Sequence, residues 1–266
     1  MGVTARVAEV RPQVQVLERG SILFLYQRRP GTGTVTVEGP DDLEQLYFTL
    51  IPDDREEHKS RVFGLRSAAM PEFVAGSAAA GERVLAVAEE TSPDPRVAID
   101  RLQEEALERA PGARPRPWVR VAGEGRYVLL RHGADTHLAY TLDRPEQPGE
   151  VQEALRIGRR GNYLISVMPP AAQPDRQPLY SGRLKARLAG QESVPVEPTD
   201  YLDYRHTQVL LLAADSDAAD ELGVRLESDA QNQGERQALQ LLHKEERQGA
   251  GEGVALLEPL KEGHWA

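Results

Sequence analysis

Two histidines and an aspartate in residues 131–140 are the side chains whose types and spacing best suit ligand binding or catalysis. His132 and His137 flank the turn-like sequence Gly133-Ala134-Asp135-Thr136. If residues 126–132 and 137–142 form a hairpin with a four-residue loop, the two imidazoles face each other across the ladder. Opposed Cβ atoms lie about 5 Å apart, so the rings can share a metal ion or an anion. Asp135 can then orient one imidazole or add an oxygen ligand.

The sequence leaves three interpretations of this hairpin open. The histidine pair can bind a metal, or it can line a binding or catalytic pocket without one. It can also simply close the hairpin end, with Asp135 making a turn hydrogen bond. A catalytic zinc needs three protein ligands and an open position, and the hairpin offers two histidines. We therefore predict neither a metal nor a cofactor.

A second polar segment, residues 201–206, precedes the strongly apolar residues 207–213. Asp203, Arg205 and His206 are its candidate binding residues. If the protein is an enzyme, these side chains should converge with the histidine hairpin in one concave pocket. The alternative is that they satisfy loop backbone groups and pair charges before a buried strand.

Standard catalytic signatures are missing from the sequence. There is no Walker A loop, no G-x-G-x-x-G between a strand and a helix, no H-E-x-x-H and no G-x-S-x-G. The chain also has no cysteine, which excludes disulfides, thiolate metal sites and cysteine nucleophiles. We therefore expect a non-enzymatic binding or interaction protein. The alternative is an enzyme of unknown class, with hydrolase chemistry near the His132 and His137 hairpin.

The amino-acid composition indicates which partners and which cellular location to expect. The net charge of −10 makes nucleic acid an unlikely partner, because phosphate binding needs a basic surface. No stretch approaches 18 apolar residues, so we expect no membrane span. The first residues lack the apolar core of a signal peptide. Together these features predict a soluble, cytoplasmic protein.

The elements that must position these residues are mainly strands joined by loops and turns. This succession predicts an α+β fold with mostly antiparallel sheets, a few helices and a helical C-terminal tail. The clearest helix should begin after Ser92, with Pro93 at its first position. The stretch 109–117, which is rich in Pro, Gly and Arg, suggests a domain boundary. We predict an N-terminal α+β region over 1–112, a β-rich region over 113–214, and a helical segment with a frayed tail over 215–266.

The C-terminal region should contain two amphipathic helices, over 217–227 and 235–247. Leu222, Leu226, Leu239 and Leu242 would need a surface to cover them. One hypothesis is that they mediate self-association into a homo-oligomer. The other is that they pack on the protein's own sheet.

Several segments together resemble a known family. They are Glu18-Arg19-Gly20 with the run Ser21-Ile22-Leu23-Phe24-Leu25-Tyr26, then Thr136-His137-Leu138-Ala139-Tyr140, Asn162-Tyr163-Leu164-Ile165-Ser166-Val167, and Leu202-Asp203-Tyr204 with Val209-Leu210-Leu211-Leu212. The discontinuous match, over about residues 18 to 213, resembles an uncharacterised prokaryotic protein family. That family has no assigned function, so the resemblance implies no activity, ligand or site residue.

Overall fold

The computed structural model describes residues 14–29, 39–72, 82–108, 119–170 and 176–214, with the backbone alone for Arg28 and residues 102–108. The strands are β1 Val14–Arg28, β2 Leu43–Pro52, β3 Ser60–Leu65, β4 Arg83–Ser92, β5 Val119–His132, β6 Asp135–Arg144, β7 Arg160–Met168, β8 Val194–Pro195 and β9 Gln208–Ala213. The helices are α1 Pro95–Glu108, α2 Glu150–Ala154 and α3 Gly182–Leu188, with 3-10 helices at Pro40–Asp42 and Thr199–Asp203.

Eight of these strands form a closed antiparallel β-barrel. Their order is β6-β5-β1-β2-β3-β4-β9-β7, and the pairing of β6 with β7 closes the circle. The short strand β8 adds to β7 near Ser166 and Val167. The predicted α+β class was therefore wrong, and the fold is mostly β. The strand-forming segments are longer than their apolar runs suggest, and every described strand joins the same sheet.

Strand β5 illustrates why the sequence was misleading. Because glycine is depleted in strands, Gly123-Glu124-Gly125 has the composition of a strand break, but β5 runs through it without interruption from Val119 to His132. A Cβ atom at Gly125 would lie 2.0 Å from the carbonyl oxygen of Thr141 on β6. Glycine inside a strand can mark such a close approach of a neighbouring backbone. The glycine therefore allows tight pairing and does not end the strand.

Alternation along each strand fills the barrel with apolar side chains. Phe48 and Phe63 stack with ring centroids 4.9 Å apart, and Phe24 meets Tyr140 edge-on at 5.0 Å. An eight-stranded barrel has an interior just wide enough for side chains to fill. The strand residues of this core are Ile22, Phe24, Tyr26, Leu43, Leu46, Phe48, Leu50, Phe63, Leu65, Val84, Ala86, Ala88, Ala122, Tyr127, Leu129, Leu138, Tyr140, Leu142, Tyr163, Ile165, Val167, Val209, Leu211 and Ala213.

The barrel consists of two four-stranded meanders in inverted orientation. Strands β1 to β4 form the first meander, and β5, β6, β7 and β9 form the second. The two meet where β1 pairs with β5 and where β4 pairs with β9, both antiparallel. The sequence carries traces of this relation. Leu46-Tyr47-Phe48-Thr49-Leu50 in β2 matches Leu138-Ala139-Tyr140-Thr141-Leu142 in β6, and Val84-Leu85-Ala86-Val87-Ala88 in β4 matches Val209-Leu210-Leu211-Leu212-Ala213 in β9.

Helix α1 packs on the outer wall of the first meander. Its Ala98 and Ile99 are buried in a cluster with outward-facing residues of β1, β2, β3 and β5, which are Leu23, Leu25, Tyr47, Ile51, Val62, Val119 and Val121. The helix begins two residues later than predicted. Asp94 precedes it and accepts a hydrogen bond from the Arg96 amide at 2.9 Å, and Pro95 takes the first helical position.

Both ends of the barrel are covered. At the end where β5 begins, Leu155 and Ile157 beside α2 join the core, and Gln152 donates to the Ala122 carbonyl at 2.7 Å. The other end is covered by the chain between residues 176 and 207, which includes α3 and the 3-10 helix Thr199–Asp203. Because ionised side chains collect there, we call it the charged end.

The predicted regional divisions fall partly outside the described residues. The boundary between 112 and 113 lies within 109–118, and the described strands before and after it belong to the same barrel. The helices predicted over 217–227 and 235–247 also lie outside the described residues. Among the described helices, none combines the length and the apolar character that crossing a bilayer requires.

Candidate functional site

The histidine hairpin has a tighter turn than the sequence suggested. His132 pairs with Asp135, and His137 pairs with Leu130, so the turn contains only Gly133 and Ala134. Gly133 has a φ of 64°, as the first position of a type II′ turn requires. The prediction that His132 and His137 are directly opposed was therefore wrong. They are diagonal neighbours, and their ring centroids are 6.0 Å apart.

His137 lies on the outward face of β6 and is held by its neighbour on β7. Its Nδ1 is 3.1 Å from Oδ1 of Asn162, a residue that is fully buried. Burial lowers the pKa of His137, and the nearby His132 adds to this effect. A neutral imidazole can act as a ligand or a base. Here, however, one ring nitrogen is already committed to a structural hydrogen bond.

The residues of the second polar segment have other partners. Arg205 donates to the Glu89 carbonyl at 2.6 Å and pairs with the Glu90 carboxylate at 2.8 Å, both on β4. The His206 amide donates to the Ala88 carbonyl, and His206 has a φ of 69°. These contacts satisfy hydrogen-bonding groups of the loop before β9 and pair the charge of Arg205. Among the described residues, no three His, Cys, Asp or Glu side chains are grouped so that they could hold a metal ion.

Asp203 instead belongs to a buried charge cluster at the charged end. Arg61 on β3 is fully buried and lies between two carboxylates. Its Nη1 is 2.5 Å from Glu18 Oε1, and its Nε donates to Asp203 Oδ1 at 2.9 Å. Tyr127 also donates to Glu18 Oε1 at 2.5 Å. The cluster therefore ties β1, β3 and β5 to the 3-10 helix Thr199–Asp203.

His58 completes the cluster from the loop between β2 and β3. Its Nδ1 is 3.4 Å from Asp203 Oδ2, and its Nε2 is 3.4 Å from Thr199 Oγ1. Hydroxyl, imidazole and carboxylate in this order are the parts of a nucleophile triad. However, Glu18 Oε2 lies 3.8 Å from the same Nε2, and Thr199 is only 6% exposed.

The charges around His58 favour its protonated form. The hydrogen bond to Asp203 raises the pKa of His58, burial opposes this, and the Glu18 charge raises it further. Desolvation works against the Asp203 carboxylate, but His58 and Arg61 still hold its pKa below the usual range. With His58 protonated, two carboxylates face two cations. Because an imidazolium cannot accept a proton from Thr199, the raised pKa of His58 works against a role as general base in this arrangement.

Sequence reasoning missed three members of this cluster, Glu18, His58 and Arg61. One signal was available for Arg61. It opens a strand-like apolar run, at a position whose alternation with Phe63 and Leu65 points into the barrel. No comparable local pattern marks His58, because its partners come from distant parts of the chain.

A groove opens beside α3 at the charged end. It has a volume of about 580 Å³ and is lined by Pro169, Pro170, Gln177, Pro178, Leu179, Tyr180, Lys185, Leu188, Ala189, Gly190 and Gln191. Leu179 is 84% exposed, although large apolar side chains are otherwise largely buried in the described part of the chain. Helix α3 spans only Gly182–Leu188, which leaves Leu179 and Tyr180 in the groove wall.

Tyr180 connects the groove to the covered barrel end. Its ring packs edge-on against Tyr201 at 5.4 Å and against Tyr204 at 5.3 Å. Its hydroxyl donates to Thr207 Oγ1 at 3.0 Å, and burial raises its pKa to about 12. Tyr180 is therefore a neutral, fixed wall of the groove.

No protein-family model, curated protein or solved structure matches the chain. This outcome agrees with a resemblance that carries no assigned function.

Proposed function

We propose that this protein is a non-enzymatic binding protein whose groove beside α3 captures an apolar peptide segment flanked by carboxylates. The observation that carries the proposal is Leu179, which is 84% exposed on the wall of a preformed groove. An exposed large apolar side chain next to a concave apolar surface is typical of a binding surface. We take the cytoplasm as the setting of this interaction.

The barrel architecture supports an external binding surface. The strand core is filled by its own side chains, including the stacked pair Phe48 and Phe63. The barrel therefore acts as a rigid support, and loops and short helices at its ends carry the variable surface. A groove of about 580 Å³ is within the size range of sites that bind small molecules or short peptide segments.

The basic residues of α3 favour a peptide with carboxylates next to its apolar residues. Helix α3 has the sequence Gly182-Arg183-Leu184-Lys185-Ala186-Arg187-Leu188, with three basic residues and no acidic one, in a chain of net charge −10. Arg183 pairs with Asp200 at 3.0 Å, Lys185 is exposed in the lining of the groove, and Arg187 is exposed on the same helix. A peptide with carboxylates beside its apolar residues complements this local cationic surface.

A random peptide library displayed on phage tests the proposal. We expect the wild-type protein to enrich apolar peptides that carry Asp or Glu. Synthetic copies of the enriched peptides should bind in fluorescence anisotropy. Leu179→Asp should weaken binding about tenfold or more, because a buried apolar contact is typically worth 1.5–3 kcal/mol. Lys185→Glu should weaken the acidic peptides in particular and reduce their salt dependence.

Matched controls lie at the opposite end of the barrel. Ala68→Asp and Arg66→Glu introduce the same kinds of change at exposed positions just after β3. These variants should bind the selected peptides as the wild type does. If no peptide is enriched, or if Leu179→Asp binds as tightly as the wild type, the groove is not the binding surface.

A further inference from the structure

The second meander has an apolar outer wall comparable to the one that α1 covers on the first. Val128, Leu130 and Ala139 lie on the outward faces of β5 and β6 and are at most 1% exposed. Leu164, Leu210 and Leu212 continue the outward face across β7 and β9 and are half-buried. Val14 and Val16 of β1 pack beside this cluster, and an apolar outer wall of this kind calls for a further element to cover it.

The position of helix α1 shows that the chain following the last strand of a meander can pack over the outer wall of that meander. The helix follows β4 after only two residues and packs on the outer wall of the first meander, mainly over β3 and β4. Strand β9 occupies in the second meander the place that β4 has in the first. The chain leaving β9 at Ala213 is therefore the counterpart of the chain that leads into α1, and 52 residues follow Ala214.

The sequences after the two strands match in their apolar spacing. Ala98-Ile99-Asp100-Arg101-Leu102 in α1 corresponds to Ala218-Ala219-Asp220-Glu221-Leu222. In both segments the next apolar residue on the same face follows four positions later, at Ala106 and Leu226. Val224 would fall on the opposite side of a helix with this pattern.

We propose that residues 217–227 form a helix that docks in cis on the outer wall of the second meander, as α1 docks on the first. Ala219 takes the place of Ile99 on this face. Ala139 takes the place of Tyr47, because the β2 and β6 sequences align at these positions. Tyr47 and Ile99 belong to one buried cluster on the first meander, so Ala139 and Ala219 would belong to the corresponding cluster on the second.

The cysteine-free chain allows a direct test by cross-linking the full-length protein. A variant with Ala139→Cys and Ala219→Cys places two small side chains on the proposed contact. A matched variant combines Ala139→Cys with Val224→Cys, on the face turned away. Under mild oxidation the first pair should form an intramolecular disulfide at least about tenfold faster than the second, because disulfide geometry requires close Cβ atoms.

Stability gives an independent readout that does not depend on cysteine. Leu222→Asp and Leu226→Asp should lower the Tm and increase hydrogen exchange in β6 and β7. Val224→Asp, the same kind of change on the opposite face, should do neither. Equal cross-linking of the two cysteine pairs would overturn the proposal. So would cross-links found only between two chains, since they would assign this wall to a second copy.

Discussion

Arg61 and Glu18 are joined inside the protein, with Arg61 Nη1 2.5 Å from Glu18 Oε1 and the guanidinium fully buried. Removing one partner of a buried ion pair leaves the other charge uncompensated, which costs about 3–5 kcal/mol. Arg61→Met should lower the free energy of unfolding by about that amount. Urea denaturation followed by circular dichroism measures it.

The double variant Arg61→Met with Glu18→Gln separates the charge from the packing. It should recover a large part of the loss, because replacing both ions with neutral groups removes the buried unpaired carboxylate. If Arg61→Met alone changes stability by less than about 1 kcal/mol, the cluster is not a stabilising ion pair.

His58 and His137 should give opposite pH dependences. The pKa of His58 is raised above its ordinary value of 6.5, so its stabilising contribution is complete below pH 6.5 and is lost as the pH rises through the folded-state pKa. The pKa of His137 is lowered from 6.5, so its contribution is complete above pH 6.5 and is lost as the pH falls.

Stability measured against pH in single variants tests both assignments. His58→Gln should flatten the decline above pH 6.5, and His137→Gln should flatten the decline below it. Each variant serves as the control for the other. A profile in which His58→Gln leaves the alkaline limb unchanged would contradict the charge balance inferred for the cluster.

Gly161 makes room for a tyrosine inside the barrel. A Cβ atom at Gly161 would lie 2.2 Å from Cε1 of Tyr140. Gly161→Ala should therefore destabilise the protein by about 1–3 kcal/mol, the usual cost of overpacking a core. Thermal and urea unfolding provide the measurement.

Two further variants define the cause of that loss. Tyr140→Leu combined with Gly161→Ala should lose less than the two single changes added together. Gly182→Ala should be tolerated, because a Cβ atom there meets nothing within 4 Å. If the effects of Tyr140→Leu and Gly161→Ala on stability simply add, Tyr140 is not the residue that requires a glycine at position 161.

Metal addition should leave the protein unchanged. His137 Nδ1 is held by Asn162, and His132 is a diagonal neighbour, with 6.0 Å between the ring centroids. A ligand that binds only the folded state raises stability by about 2.7 kcal/mol at a hundredfold excess over its Kd. We expect zinc, nickel or cobalt to give no such rise in Tm at pH 7.5. A rise that His137→Ala abolishes would establish the pair as a metal site.

Local patterns predicted most strands but not the way they assemble. The apolar runs at residues 21–26 and 207–213 lie in β1 and, apart from Thr207, in β9, as expected from their composition. Barrel closure depends on pairings such as Ser21 with Arg126 and Leu85 with Leu210, which no short window contains. The fold class was therefore misjudged although many of its elements were recognised.

The candidate site was predictable only in part for the same reason. Asp203 was singled out as a polar residue before a buried strand, and the structure places it against Arg61 and His58. The histidine hairpin exists, but its two-residue turn changes which residues face each other. Exposure of Leu179 depends on where α3 begins, and the boundaries of short helices are poorly marked in a sequence.

The inverted arrangement of the two meanders also governs how the chain can acquire its structure during synthesis. When a ribosome has released β1 to β4, the free edges of β1 and β4 still await β5 and β9. Unpaired strand edges invite association with other chains, and distant pairings slow folding. Closure must therefore wait until β9 has been synthesised, and until then the nascent first half presents unpaired strand edges.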